Sequence, residues 1–512
     1  MNLADRLRSV VRPAGGDGPE SPSLQSVRIG HQSGHTDRCR GGPSGPPLKD
    51  IAETLGGEWR EARGQRYLVI DRTFPAGHVL GRVAVADCLP AADGLWPRLE
   101  LLRCGASSGE LRDRLLFVDL ETTGLAGGAG TYAFLVGCGW FEGTAFRVRQ
   151  FLLTSFMAER GLLQNVADTM GAAGALVTYN GKTFDLPLID TRFLFHRMEA
   201  PFSSLPHLDM LHPARRLWGS AETGGSASQD PPDVPHPTAA AALGTPRRPG
   251  SAEPAAASAD PANMRRSSCR QTVVEQAVLG HVREGDVPGF EIPSRYFHYV
   301  RTGDARPLEG VLEHNRLDLL GLAMLTAQGA SLLEEGAAGA RTAREALGLG
   351  RLYERGGLIA EARACFARAA GAGAGADLPA GPALASRVAG RPDAGEGGKV
   401  RPYNDLDAAT MAEALRAYAM ISRRVREYEE AAGAWRRILA LRACPAHIAQ
   451  EATEALAVHH EHRLRDFRAA RQFAMQALQF DISTTRIEAV YHRVARIDRK
   501  LGTPAPQLPP LF

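Results

Sequence analysis

Three short stretches of the sequence carry side chains whose type and spacing could do chemistry. In FVDLETTGL, Asp119 and Glu121 stand two apart behind the apolar run Leu115–Val118. Residues two apart in a strand point to the same side, so both carboxylates converge on one place. Two acids held there repel each other and are costly to bury unless a cation lies between them. An oxygen-rich donor set of that kind suits Mg2+ or Mn2+ rather than Zn2+. In TYNGKTFDLPLI (178–189), a strand ends at Asn180-Gly181 and Asp185 falls near the start of the next helix. Asn180 and Lys182 are candidates for contact with phosphate or sugar. In LEHNRLDLLGLA (312–323), His314 and Asp318 are four apart and so share one helical face. Each stretch alone also has an ordinary reading. Surface strands often carry a D-x-E pair, Asp185 suits a helix N-terminus because the dipole favours an anion there, and a His–Asp pair at this spacing is commonly just solvated.

The elements needed to hold these residues are legible around them. LLFVDLE (115–121) reads as a buried strand. TYAFLVGCGWF (131–141) and AFRVRQFLL (145–153) follow with turn residues between, which predicts an antiparallel three-strand unit. Leu162, Leu163, Val166 and Met170 share one face of a helix over about 158–173. ALVTYN (175–180) is another strand, a helix starts at about 183, and HLDML (207–211) is a strand carrying Asp209. Helices follow over 272–280 and, long and amphipathic, over 311–333. Ahead of all this, RYLVIDR (66–72) and VLGRVAVA (79–86) read as short strands of an N-terminal extension. The order βββαβαβα predicts an α/β, ribonuclease-H-like fold: a mixed sheet with flanking helices.

At 512 residues the chain exceeds one ordinary domain. Its 60 Lys+Arg against 57 Asp+Glu exclude a polyanion-coating protein of histone type, but not an enzyme with a local basic groove. Seven scattered cysteines without a C-x-x-C pair argue against a disulfide framework or a Cys-rich zinc site. No apolar run approaches the roughly 18 residues of a membrane span, and the first residues lack a secretion signal; a soluble, cytoplasmic protein without a membrane partner is expected. The 55 Gly and 33 Pro gather in three stretches, 12–48, 219–266 and 371–401, which have little to bury. The expected organisation is a disordered segment 1–50, the extension 51–110, the ribonuclease-H-like domain 111–335 interrupted by a disordered insertion 219–266, a helical domain 336–500 interrupted at 371–401, and a Pro-rich tail 501–512. In the helical domain, Ala362, Phe366 and Ala369 recur in spacing as Ala431, Trp435, Ile438 and as Ala470, Ala474, Ala477. With Leu349, Gly350 and Tyr353 ahead of the first set, this predicts an all-α, tetratricopeptide-like repeat, or more plainly a generic helical array. Residues 411–500 hold sixteen Lys/Arg against eleven Asp/Glu, so this module is either a guide for nucleic acid or an ordinary solvated face; it is also a place for a protein partner. Arg215 and Arg216, close after Asp209, are candidates for phosphate contact.

Together the motifs resemble the DEDD superfamily of DnaQ-like 3′–5′ exonucleases. Within it they are similar to the bacterial YprB-type family, often fused to tetratricopeptide repeats. The resemblance covers about 57–218 and 267–333 and includes LGGEWRE, HLDMLHPARRLWG, REGDVPGFEIPSRYF and LEHNRLDLL. It implies that Asp119, Glu121, Asp185 and Asp318 are the four acidic ligands of a two-metal Mg2+ or Mn2+ site that hydrolyses phosphodiester bonds of DNA or RNA. Glu121 would also position the nucleophile or the terminal hydroxyl. His314 stands where the residue that takes the water's proton belongs. His-type members usually have one more residue between His and Asp, whereas His314-x-x-x-Asp318 has the spacing of the Tyr-type. Asp209 reads as a supporting residue first and a catalytic one second. The tail Gln507–Phe512 loosely resembles the peptide by which bacterial replication proteins dock on the sliding clamp. The alternative function is a scaffold whose nuclease-like domain binds nucleic acid without cutting it.

Overall fold

The run Tyr67–Ile70 is buried at four consecutive residues, which a strand covered on both faces explains and a half-exposed surface strand does not. In the computed structural model, which describes residues 50–88, 99–103, 114–124, 130–219, 269–371, 408–480 and 484–502, this run belongs to the main sheet. The predicted disordered segments lie outside those residues except for 50, 219 and 371, as does the tail Gln507–Phe512. The chain divides into two compact units, the first taking in the described residues of Met1–Leu89, Gly105–Asp209 and Arg283–Met324.

The first unit opens with the short helix α1 (Ile51–Leu55), capped by the Asp50 side chain and ended by Gly56 at φ 62°. β1 (Glu58–Ala62) and β2 (Gln65–Phe74) form a hairpin. Arg63 and Gly64 turn it, both at positive φ, the signature of a turn whose twist matches the strands. VLGRVAVA forms no single strand. It closes into the two-residue strands β3 (Val79–Leu80) and β4 (Val83–Ala84), with Gly81 at φ 63°. β5 (Leu115–Thr122), β6 (Ala133–Glu142) and β7 (Ala145–Leu152) follow, then α2 (Glu159–Gly171), β8 (Ala175–Thr178), α3 (Asp185–Phe195) and β9 (His207–Asp209).

The seven-stranded sheet has the order β1-β2-β7-β6-β5-β8-β9. From β1 to β5 neighbours are antiparallel; β8 and β9 run parallel to β5. The extension is thus two strands added to the β7 edge of the sheet rather than a separate piece. β5 lies between β6 and β8, and since β5 and β8 are parallel, the residues after each emerge at the same end of the sheet. That end is where ligands bind in sheets of this kind.

Two helices complete the unit. α4 (Leu211–Leu217) and α5 (Gln271–Val278) belong to the second unit, so the next is α6 (Ile292–Thr302), begun by a proline and stopped by Gly303 at φ 75°. The sequence pattern did not predict it. Tyr296 of α6 stacks on Phe134 at 4.1 Å and donates its hydroxyl to the Leu153 carbonyl at 2.9 Å. α7 (Leu308–Glu335) is the long helix predicted over 311–333, and the first unit includes it as far as Met324. The fold is a mixed sheet with flanking helices, of ribonuclease-H-like type.

The second unit is all-helical. Beyond α7 it contains α8 (Ala343–Arg355), α9 (Ile359–Ala369), α10 (Ala408–Arg424), α11 (Tyr428–Leu439), α12 (Ala446–His459), α13 (Phe467–Ala477) and α14 (Thr484–Leu501). Successive helices pack as neighbours. The nine small and large residues that recur in sequence are all buried. At the α8–α9 contact, a Cβ on Gly350 would lie 2.4 Å from the Phe366 ring, so only glycine lets the helices approach there. Among the described residues no helix is long and apolar enough to cross a membrane.

Candidate active site

β5 brings Asp119 and Glu121 to the end of the sheet. Asp119 is opposite Gly137 and Glu121 opposite Leu135, and the register slips between Glu121 and Thr122. Such a bulge ends regular pairing and re-aims the last side chains. β8 ends at Thr178, and Asn180 follows at φ 65°. Asp209, at the end of β9, holds that loop: its carboxylate accepts from the Asn180 N–H at 2.7 Å and the Lys182 N–H at 3.1 Å. The loop then delivers Asp185 as the first residue of α3. α7 supplies His314 and Asp318 from one face, with His314 Nε2 3.2 Å from Asp318 Oδ2.

The acids feel one another strongly. Burial first, then the charges of Asp318, Glu121 and Asp185, push the Asp119 carboxyl well above the usual carboxylate range, against a hydrogen bond from Asn315. Glu121 is raised likewise, by burial and then by Asp318, Asp185 and Asp286. Burial and the charges of Asp209 and Asp318 push Asp185 up to about 7. Carboxylates gathered in this way are a poor end in themselves and a good fit for a divalent cation. One ligand atom from each of Glu121, His314 and Asp318 lies within 4.8 Å of the others, and that donor set could hold a metal ion.

Four residues of the site have no forecast role in the sequence. Asp286 accepts from His314 Nδ1 at 2.7 Å, and Arg283 donates to Asp318 Oδ1 at 2.7 Å while meeting Asp286 at 3.3 Å. Burial would raise Asp286, but His314, Arg283 and the Val287 N–H outweigh it and hold the carboxyl below its ordinary value. Asn315 donates to Asp119 Oδ2 at 2.7 Å. Gln150 of β7 in turn donates to Asn315 Oδ1 and to the Leu312 carbonyl, both at 2.8 Å. Gln150 and Asn315 are fully buried. A buried asparagine between Leu312 and Leu319 on the apolar side of a helix is the signal that could have found this link; REGDVPGF has no periodic pattern to mark Arg283 and Asp286.

Gly137 makes room for this link. A Cβ there would fall 2.3 Å from Asn315 Oδ1 and 2.8 Å from Leu319 Cδ1. Gly137→Ala is therefore expected to destabilise the protein by about 1–3 kcal/mol through overpacking and to pull Asn315 off Asp119. Urea unfolding measures the first effect; an unchanged midpoint would contradict this packing.

The acid cluster also sets a pH dependence. A carboxyl raised on folding holds its proton more tightly in the folded state, so stability falls as pH climbs from its unfolded pKa, about 4, through the folded value. Without divalent ions, the urea midpoint should drop between about pH 4 and about 7, where Asp185 titrates. A divalent ion added at the upper end should restore it. A flat midpoint across that window would be the contrary result.

Lys182 is exposed, on the loop that Asp209 holds, and Asn180 accepts from the Thr183 hydroxyl at 3.0 Å. Arg215 and Arg216 lie on α4 in the second unit, where Arg215 contacts the Cys269 thiol. Several cations of residues 411–500 are matched within that unit: Arg416 by Glu451, Arg471 by Asp498, and Arg496 and Lys500 by Glu461.

Residues 116–224 and 258–328 match the family model described as RNase_H superfamily, in keeping with the ribonuclease-H-like sheet, and the match suggests a nuclease-like domain. The chain is also similar to the uncharacterized protein YprB of Bacillus subtilis (strain 168), at 28% identity over 326 residues. That match spans 64% of this chain and 65% of the length of its relative.

Proposed function

We propose that the chain is a divalent-metal-dependent nuclease of the DEDD type, removing nucleotides from the 3′ end of DNA or RNA. The observation that carries the reading is the convergence of Asp119, Glu121, Asp185 and Asp318, from one strand end and two helices, at one end of a ribonuclease-H-like sheet. These acids would hold Mg2+ or Mn2+, which when bound supplies Lewis acidity for a water nucleophile and countercharge for the phosphate. The chain's own part is placement. Gln150 and Asn315 fix the Asp119 carboxylate, Asp209 fixes the loop that leads to Asp185, and Asp286 with Arg283 fixes His314 and Asp318. Lys182 offers an exposed cation beside that loop for substrate phosphate. The helical unit serves, in a tetratricopeptide-like manner, to hold a protein partner or the substrate strand.

The test uses 5′-labelled single- and double-stranded DNA and RNA with Mg2+ or Mn2+. Stepwise shortening from the 3′ end, stopped by a chelator, is the expected result. No metal-dependent loss from any substrate would overturn the enzymatic reading and leave the binding scaffold. Cleavage only at internal positions would overturn the exonuclease assignment.

A further inference from the structure

We propose that His314 is a metal ligand, and that with Glu121 and Asp318 it makes a site that takes Mn2+ in preference to Mg2+. The inference rests on the nuclease reading for the presence of a metal and says which ion this site selects. Its ground is the way both ends of the imidazole are used. A carboxylate oxygen only accepts, so the 2.7 Å contact with Asp286 places the proton on His314 Nδ1. That leaves Nε2 as the ring atom turned to the acids: it lies 3.2 Å from Asp318 Oδ2, and one ligand atom from each of Glu121, His314 and Asp318 lies within 4.8 Å of the others. A divalent cation placed among them would take the Nε2 lone pair of the neutral ring and offset both carboxylates.

The surroundings are those of a braced ligand set. An imidazole that binds metal generally has its other N–H held by a carboxylate or carbonyl, which fixes the tautomer and the ring, and ligating carboxylates are themselves hydrogen-bonded. Here Asp286 holds the ring, Arg283 holds Asp318 through Oδ1, and Arg283 and Asp286 meet each other. Sequence spacing explains why the ring arrives there. One further residue between His and Asp would swing the side chain about 100° around the helix; four apart, His314 and Asp318 lie side by side.

Metal preference follows from the donor types. Mg2+ is bound through carboxylates and water in near-ideal octahedral geometry. Mn2+ accepts the same carboxylate and water ligands but, as a first-row transition ion, takes an imidazole nitrogen more readily than Mg2+ does. A lone pair used in this way does not also accept the proton of the attacking water, so His314 is not the proton acceptor that the family resemblance implied.

The decisive measurement is Mn2+ binding to the metal-stripped full-length chain, followed by the electron paramagnetic resonance of free Mn2+ and by competition with Mg2+. His314→Gln should weaken Mn2+ binding about tenfold or more, with Mg2+ binding held within about twofold, and Asp286→Asn should weaken Mn2+ by roughly tenfold, as loss of an outer support does. Circular dichroism establishes that both variants fold, and Asp286→Asn stands alone should His314→Gln fail. Unchanged Mn2+ affinity in a folded variant, in a protein that still digests nucleic acid, would overturn the inference and leave the nuclease reading intact. His314-dependent Mn2+ binding in a protein that cuts none of the substrates would support the inference and overturn the nuclease reading only.

Discussion

Asp119→Asn should abolish metal-dependent hydrolysis while leaving a protein that folds more stably without metal. Asparagine keeps the shape of the side chain, and its carbonyl oxygen can accept the Asn315 hydrogen bond now made to Asp119 Oδ2 at 2.7 Å. What it removes is charge at the most crowded point of the cluster, where Asp318, Glu121 and Asp185 all press on Asp119. Loss of a ligand removes several kcal/mol of charge stabilisation from the reaction, which at about 1.4 kcal/mol per decade is a fall of about a thousandfold or more. The same substitution relieves repulsion in the metal-free protein, so its urea midpoint near neutral pH should rise, and the gain should shrink when Mn2+ is added to both proteins. Activity within tenfold of the parent would show that Asp119 is no part of the reaction. Activity lost together with a lowered midpoint would mean that the residue serves the fold instead.

The sequence disclosed the acids because each stands at a junction with its own local grammar. An apolar strand ending in two carboxylates, a strand-to-helix loop with Asn180-Gly181, and a His–Asp pair at helical spacing can each be recognised without tertiary knowledge. The helices and strands that carry them were readable for the same reason: Leu162, Leu163, Val166 and Met170 keep strict helical phase and are all buried. What escaped was determined across the fold. Gln150 reaches Asn315 over 165 positions, and Asn315 reaches Asp119 over 196, so no window of sequence contains both partners. Arg283 and Asp286 come from an irregular segment whose only order is what it contacts. The placement of β2 inside the main sheet also depended on its pairing with β7, which lies about eighty residues further along the chain. Its buried run Tyr67–Ile70 announced a strand but not a neighbour.

Arg192→Met should be the most destabilising single change in the first unit, at about 3–5 kcal/mol, because it leaves a buried charge without its main partner. Arg192 is fully buried and donates to both carboxylate oxygens of Glu159, through Nε at 2.6 Å and through a terminal nitrogen. Its guanidinium lies over the rings of Tyr132 and Phe195. His196 Nε2 also lies 2.7 Å from Glu159 Oε2. The pair joins the first residue of α2 to the last turn of α3, the helix whose first residue is Asp185. Removing both charges is a different matter, since a buried ion pair replaced by apolar side chains of similar volume is often neutral or stabilising. Arg192→Met combined with Glu159→Leu should therefore recover most of the lost stability. The recovered double variant separates fold from site. If the ion pair also sets the angle at which α3 presents Asp185, the double variant will unfold at nearly the parental urea concentration yet bind Mn2+ more weakly. Parental metal affinity would confine the pair to stability, and a single variant as stable as the parent would contradict the buried pair itself.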